Sequence, residues 1–465
     1  MRIYIFAVIL HRNFKDSKKI LIEMGNEWTK QHISTGKGLM ALSPIVVFLL
    51  LYVVVSVMIG DFYKMPMSLA FIIASMWALL LMPNIKISER IEIFSKGAAN
   101  NNVLYMIWIF FLAGAFSALA KGIGAIDATV QLALSSLPSE FIVPGLFITA
   151  CFISMSIGTS VGTIVALTPF AFQLAQTTGG DSAFMVSVVL GGSFFGDNLS
   201  FISDTTIAAT RSQKVKMNEK FKTNLWIALP AAIITLCVYA CIGDIHQINQ
   251  APVGDSSWWN VLPYLIVIVS AVIGVNVLVV LTLGILTCIA IALCGFADVS
   301  LIEMCGFMGN GIKDMSDLII VTLLAAGMLG VISYNGGVKY IIQVLTRRIS
   351  SAKAGQGVVA LLVGIVNLCT ANNTIAIITV GDIAHKISKQ FNLDPRKVAS
   401  LLDTCSCIVQ CLIPYGAQTL MAAGLAQLSP VAFLPYLYYT WALILMVILS
   451  ILFNFPRKKI RLGVS

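Results

Sequence analysis

One apolar stretch of this chain concentrates oxygen-bearing side chains: Phe195-Gly-Asp-Asn-Leu-Ser-Phe-Ile-Ser-Asp-Thr-Thr206. Asp197, Asn198, Ser200, Ser203, Asp204, Thr205 and Thr206 all fall within it. Carboxylate, amide and hydroxyl oxygens are hard ligands, suited to a hard cation and not to a soft metal. A carboxylate withdrawn from water also readily takes a proton instead. A group that holds either ion is the minimal part of a cation/proton exchanger. The expected cation or proton site is therefore Asp197 with Asp204, and Asn198, Ser200, Ser203, Thr205 and Thr206 supply neutral oxygens. The bland alternative is the inner end of a span, with Asp204 paired to Arg211. A second set, Asp403, Thr404, Ser406, Gln410 and Gln418, lies in another apolar run and is the secondary candidate. Cys405, Cys407 and Cys411 read as packing, because no His is near.

These groups need scaffolding that crosses a bilayer. Of 465 residues, 58% are apolar and 11% charged, against roughly 25% charged in soluble domains. Such a balance excludes a soluble enzyme, a disordered chain and a secreted disulfide scaffold. Twelve apolar segments recur, near 40–60, 67–83, 103–120, 141–176, 183–210 and 223–243, then 257–273, 275–295, 318–336, 356–381, 398–424 and 433–454. Each single-span run approaches the ~20 residues that a membrane helix needs. The net charge of +9 points to cytoplasmic loops and not to nucleic acid.

The two sets of six repeat. Gly114 and Gly124 recur as Gly327 and Gly337, 213 residues later, and the stretch 199–206 meets 412–419 at the same offset. Thr163 and Thr168 meet Thr374 and Thr379 at 211, a slip of two. The basic loop with Arg211, Lys214, Lys216, Lys220 and Lys222 is placed inside, with the loop at 339–353 and the tails at 1–38 and 456–465. Met24 is an alternative start, and no cleaved signal is expected. The acidic loops at 244–256 and 297–317 are placed outside. Parity then requires 141–176 and 356–381 to enter and leave on one side, as re-entrant hairpins or strongly broken helices. Their tips are small and polar: Thr159, Ser160 and Thr163 in the first, Asn372, Asn373 and Thr374 in the second. The expected fold is an all-α polytopic membrane protein of two inverted repeats, 39–245 and 256–455, each of about five spans plus a hairpin. Inverted repeats with broken helices are the usual build of secondary transporters.

The stretch Gly196-Asp-Asn-Leu-Ser-Phe-Ile-Ser-Asp-Thr-Thr206 resembles the G-D-[KN]-L-S-P-[LI]-S-D-T-T mark of the NhaC-type Na+/H+ antiporter family, with Phe201 in place of Pro. Gly158-Thr-Ser-Val-Gly-Thr163 is similar to that family's G-T-S-x-G-T. The resemblance spans most of 40–454. It implies a plasma-membrane antiporter exchanging Na+ for H+, or in some branches organic anions such as malate and lactate. Na+ and H+ are then the transported ions, membrane lipid is the surroundings, and no cofactor is implied. The wider ion-transporter superfamily implies a homodimer. The alternative is a Na+- or H+-coupled carrier of an organic anion or amino acid. The Asn-rich second tip favours that alternative; the absence of a Lys or Arg deep in a span opposes it. An intramembrane aspartyl protease fits poorly, since G-x-G-D is absent before Asp197, and a channel is disfavoured by the repeat.

Overall fold

A computed structural model describes residues 33–59, 66–136, 138–201, 203–242, 258–346, 349 and 351–456. The tail through His32, the whole 244–256 loop, Arg347, Arg348 and the C-terminal cluster Arg457, Lys458, Lys459 and Arg461 lie outside the described residues. So no topology reading that rests on those charges is tested by it.

Among the described residues every regular element is helical. The first half holds α1 (Thr35–Ile59), α2 (Met67–Leu80), α3 (Ile87–Ala98), α4 (Asn101–Gly122), α5 (Ala125–Ser136), α6 (Ser139–Ile157), α7 (Ser160–Thr178), α8 (Ser182–Leu199), α9 (Asp204–Gln213) and α10 (Met217–Ile242). The second half holds α11 (Leu262–Val272), α12 (Val277–Leu293), α13 (Leu301–Asp314), α14 (Ser316–Tyr334), α15 (Gly337–Thr346), α16 (Ala352–Thr370), α17 (Asn373–Gln390), α18 (Pro395–Leu412), α19 (Ala417–Ala426) and α20 (Tyr438–Phe453). By length and composition 8 helices can cross a membrane, or up to 9 counting the bent pair of Pro430–Tyr436 and α20. The chain is thus a polytopic helical membrane protein.

The 213-residue offset extends to the element boundaries. Helices α6, α8 and α9 begin and end 213 residues before α16, α18 and α19, and α7 begins 213 before α17. The two-residue slip read at the threonines is therefore not a structural one: in register, Thr163 stands opposite Ala376 and Thr374 opposite Val161. Contacts are exchanged between the halves: α9 packs on α17 while α19 packs on α7, α3 on α14 while α13 on α4, and α2 on α14 while α12 on α4. Glycines permit two of these approaches. A Cβ on Gly97 would stand 2.8 Å from the Ala326 carbonyl oxygen and 3.0 Å from the Gly330 Cα, and Gly114 packs against the Gly311 backbone.

Local chemistry sets the helix ends. Asp181 caps α8 by accepting from the Ala183 N–H at 2.7 Å, and Asp394, 213 residues later, caps α18 through the Arg396 N–H at 3.0 Å. Both satisfy donors that a helix start leaves open. At the first tip Gly158 ends α6 with φ 77°. At the second, Ala371 ends α16 with φ 47°, a left-handed geometry that suits Gly better than Ala. Segment 356–381 is not as short as its apolar run. Helices α16 and α17 have 19 and 18 residues, each about 27 Å long, because α17 runs on through Asp382, His385, Lys386 and Lys389. The loops read at 297–317 and 339–353 also contain helices, α13 and α15.

Candidate functional site

Helices α8 and α18 each stop and restart as α9 and α19 after a four-residue break, 200–203 and 413–416, inside a 32-residue candidate span. The second break carries Pro414, and the first carries Phe201 at the equivalent place. The first break forms without proline: Ser200 is extended, with φ −73° and ψ 142°. Phe201 is exposed and stacks on Phe221, ring centroids 4.4 Å apart. Gly191, Gly192 and Gly196 precede the break and from sequence would permit it. All three lie inside α8, and Gly192 and Gly196 instead let α6 come close, since a Cβ on Gly192 would stand 2.6 Å from the Ala150 Cβ and 2.8 Å from the Phe147 carbonyl.

Asp197 sits one turn before the first break and is 4% exposed. Its Oδ1 accepts the Ser160 N–H at 3.0 Å, which is the first amide of α7 and adds the positive end of that helix to the carboxylate. From there a chain of hydrogen bonds joins the two tips. Gln418 Nε2 donates to Ser160 Oγ at 3.2 Å, Gln410 Nε2 donates to Gln418 Oε1 at 2.9 Å, and Gln410 Nε2 also reaches the Ala371 carbonyl at 3.1 Å. Asn373 Nδ2 faces Cys407 Sγ at 3.9 Å, while Asn372 caps its own helix through the Ile375 N–H at 3.0 Å. Buried oxygens without a hydrogen-bond partner occur on the same elements: Thr163 Oγ1, Asn198 Oδ1, Asn367 Oδ1, Asp403 Oδ1 and Gln410 Oε1. These are hard-cation donors.

The second carboxylate has a different partner. Lys220, counted among loop charges from sequence, is 1% exposed, and its ammonium forms an ion pair with Asp403, which is 0% exposed. Lys220 Nζ also donates to the Asn198 carbonyl and to Thr206 Oγ1, both at 2.8 Å. Asn224, one turn on from Lys220, donates to the same carbonyl at 2.8 Å and to Asp403 Oδ2 at 3.0 Å. Ser400 and Thr404 donate to the Asn224 Oδ1. The broken end of α8 is therefore held by α10 and α18 together. A buried base thus stands beside the first break, although it lies in the first turn of α10 and not deep in a span.

Not every expected residue converges. Asp204, in the first turn of α9, is exposed, unlike Asp197. Ser203 and Thr205 hydrogen-bond each other at 2.9 Å, and Ser200 Oγ donates to the Met155 carbonyl at 3.2 Å. Thr159 is half-buried at the first tip, and the Thr374 N–H turns to Asn373 Oδ1. Ser406 Oγ bonds the Asp403 carbonyl at 2.8 Å, while its own carbonyl accepts from Asn367 at 2.8 Å. Sequence reasoning missed Lys220, Asn224, Asn367, Ser400 and Tyr439, whose hydroxyl lies 3.4 Å from Asn198 Nδ2. The available signal was the spacing: Lys220 and Asn224 are four apart and so share one face of α10. No cluster of three or more His, Cys, Asp or Glu forms among the described residues.

A family model described as the Na+/H+ antiporter family matches residues 25–244 and again 192–455. The malate-2H(+)/Na(+)-lactate antiporter of Bacillus subtilis is 21% identical over 436 residues, covering 86% of this chain and 91% of that one. The Na(+)/H(+) antiporter NhaC of Alkalihalophilus pseudofirmus is 25% identical over 380 residues, covering 75% and 81%. Among solved structures, the YdaH transporter of Alcanivorax borkumensis aligns over 79% of this chain and 88% of that one, at 12% identity and a TM-score of 0.40.

Proposed function

Because the chain belongs to the Na+/H+ antiporter family, we propose that it exchanges Na+ for H+ across the plasma membrane, with Asp197 holding the two ions in turn. One observation carries this assignment. Of the two buried carboxylates on the broken helices α8 and α18, Asp403 is neutralised by Lys220, whereas no salt bridge among the described residues includes Asp197. A buried carboxylate without a counter-charge requires a proton or a cation. Na+ takes oxygen ligands, and Asn198 Oδ1 on the adjacent residue and Thr163 Oγ1 on the facing helix are buried oxygens without another partner.

Exchange then follows from competition. A proton on Asp197 removes the charge that attracts Na+, and Na+ removes the charge that attracts a proton. The Ser160 N–H makes this competition visible at the first tip, because its bond to the carboxylate is strongest when that group is charged. The exchanged contacts between halves support two repeats related by a two-fold axis in the membrane plane, with alternating access as one unit moves on the other. We assign exposed Asp204 to the water-facing approach, where its charge attracts cations. The basic groups Arg211, Lys214, Lys216 and Lys222 support placing that end inside, and a homodimer is the assembly we propose. An organic anion is a weaker substrate, since Lys220 is already committed to Asp403.

The test is proton flux in proteoliposomes after a Na+ pulse. Asp197→Asn keeps an oxygen for the Ser160 N–H and removes the charge. Two unit charges about 4 Å apart attract by about 4 kcal/mol at an effective dielectric near 20, so Na+ affinity should fall about 1,000-fold. Na+-evoked proton movement in wild type and its loss in folded Asp197→Asn is the expected result. Undiminished exchange by the variant would overturn the assignment.

A further inference from the structure

A cleft of about 410 Å³, which Asp197 does not line, runs between α4 and α13 on one side and α7 and α19 on the other. Its volume is that of a small-molecule site, roughly 300–1,000 Å³. Two opposite charges face it, Lys121 on α4 and Asp314 at the end of α13, and among the described residues neither forms an ion pair. Both fall inside candidate spans, Asn101–Gly122 and Leu301–Tyr334, where ionisable side chains are costly and rarely idle. Asp314 is also badly placed for its own helix, because the C-terminal end carries negative partial charge and disfavours a carboxylate. Its hydrogen-bond partner among the described residues is Gln427, whose Nε2 donates to Oδ2 at 3.3 Å. The neighbouring Lys313 and Asp317 do not line the cleft.

The spacing of the two charges selects the ligand. Gly114 packs on Gly311 and Gly122 on Phe307, so α4 and α13 run antiparallel. Lys121 lies seven residues past Gly114, and Asp314 three past Gly311 in the opposite direction. Ten residues of helix separate their backbones by about 15 Å. Helical side chains lean toward the N-terminus of their own helix, so Lys121 and Asp314 lean toward each other and shorten that gap. What remains is still longer than the single carbon that separates the two charges of an α-amino acid. Phe172, Phe307, Met315 and Leu425 give the cleft apolar walls. We propose that it binds an unbranched ω-amino acid, with the carboxylate on Lys121, the ammonium on Asp314 and the methylene chain along those walls. Such a ligand touches all four helices. Helices α7 and α19 carry Ser160 and Gln418 at their other ends, where the bond between them joins the tips. The bound ligand therefore ties the tips to α4 and α13 and slows exchange.

The test uses the full chain in detergent and ε-aminocaproate as the probe, against caproate, n-hexylamine and free glycine at equal ionic strength. A ligand of the folded state raises the unfolding midpoint in a saturable way, and ε-aminocaproate alone is expected to do so. Lys121 and Asp314 are exposed, so Lys121→Gln and Asp314→Asn should fold. Each removes one charge-assisted contact and should weaken binding about tenfold. An equal rise with caproate, n-hexylamine or glycine would overturn the proposal. No rise in wild type, or undiminished binding by both variants, would do the same. In proteoliposomes, saturating ε-aminocaproate should slow Na+-evoked proton flux several-fold in wild type and leave the flux of Asp314→Asn unchanged. Equal flux with and without the probe in wild type, or equal slowing in the variant, would refute the tie between this cleft and the tips. The binding measurement does not depend on the Na+/H+ reading, which a lack of Na+-evoked flux in wild type without the probe would overturn by itself.

Discussion

Replacing Asp403 by Leu leaves the Lys220 ammonium in a fully buried position without its counter-charge. Both side chains are at most 1% exposed. Removing one member of such a pair costs about 3–5 kcal/mol, because the survivor remains a charge out of water. The loss is a large part of a typical total stability of about 5–15 kcal/mol. Lys220→Met should cost a similar amount, since it strands the carboxylate. The double replacement behaves differently. The Asn198 carbonyl still accepts from Asn224 at 2.8 Å, so the losses are the donor to Thr206 Oγ1 and the Asp403 acceptor of Asn224, at about 1–2 kcal/mol each. The two changes should therefore be coupled by about 3 kcal/mol or more, toward the upper end for residues in direct contact. Heat-induced loss of monodisperse protein, followed by size-exclusion fluorescence for wild type, both single variants and the double variant, measures that coupling. Additive losses, or an Asp403→Leu protein as heat-resistant as wild type, would refute the idea that this pair holds the break in a low-dielectric interior.

Ala371→Gly should raise the unfolding midpoint, by about 1 kcal/mol in free energy, because φ 47° at this tip penalises a side chain; an unchanged or lower midpoint counts against strain there. Gly192→Val should destabilise by about 1–3 kcal/mol and slow transport, since its Cβ would stand 2.6 Å from Ala150 Cβ, and full activity in flux assays would show that α6 yields freely. Burial alone would raise the Asp394 carboxyl, but the Arg396 guanidinium and N–H outweigh it and hold it below the usual carboxylate range. That group's stabilisation is therefore present above about pH 4 and is lost as pH falls through the lower folded value. Asp394→Asn should narrow the difference between midpoints at pH 7 and pH 3, and an equal difference in both proteins would dismiss the Arg396 pair as a contributor.

The apolar runs and the 213-residue echo made the helical membrane class and the paired breaks legible before any coordinates. Asp197 was legible as well, since a carboxylate in the middle of such a run has few idle explanations. Helices α3 and α13 were not, because amphipathic segments leave no long hydropathic signal, although Ser300 and Glu303 spell a capping box that the structure forms. Lys220 was hidden for a different reason. It belongs to a basic cluster, and counting charges for orientation treats every Lys in the cluster alike. Its burial depends on Asp403, 183 residues away in sequence, a pairing that only the folded chain creates. Asp204 shows the converse: its motif placed it beside Asp197, yet after the break it lies exposed at the start of α9.

The exchange of contacts between halves also bears on how the molecule is made. Helix α9 leaves the ribosome about 160 residues before its cover, α17, begins. At ~5–20 residues per second that is a wait of roughly 10–30 s. Throughout it the first half sits in the bilayer with the flank of α9 and the seat around Lys220 unfinished. Neither half owns a complete interior, so biogenesis has to end in a single late docking step. Two fragments divided between Ile242 and Trp258 would accordingly be short-lived when made alone and would survive only when made together.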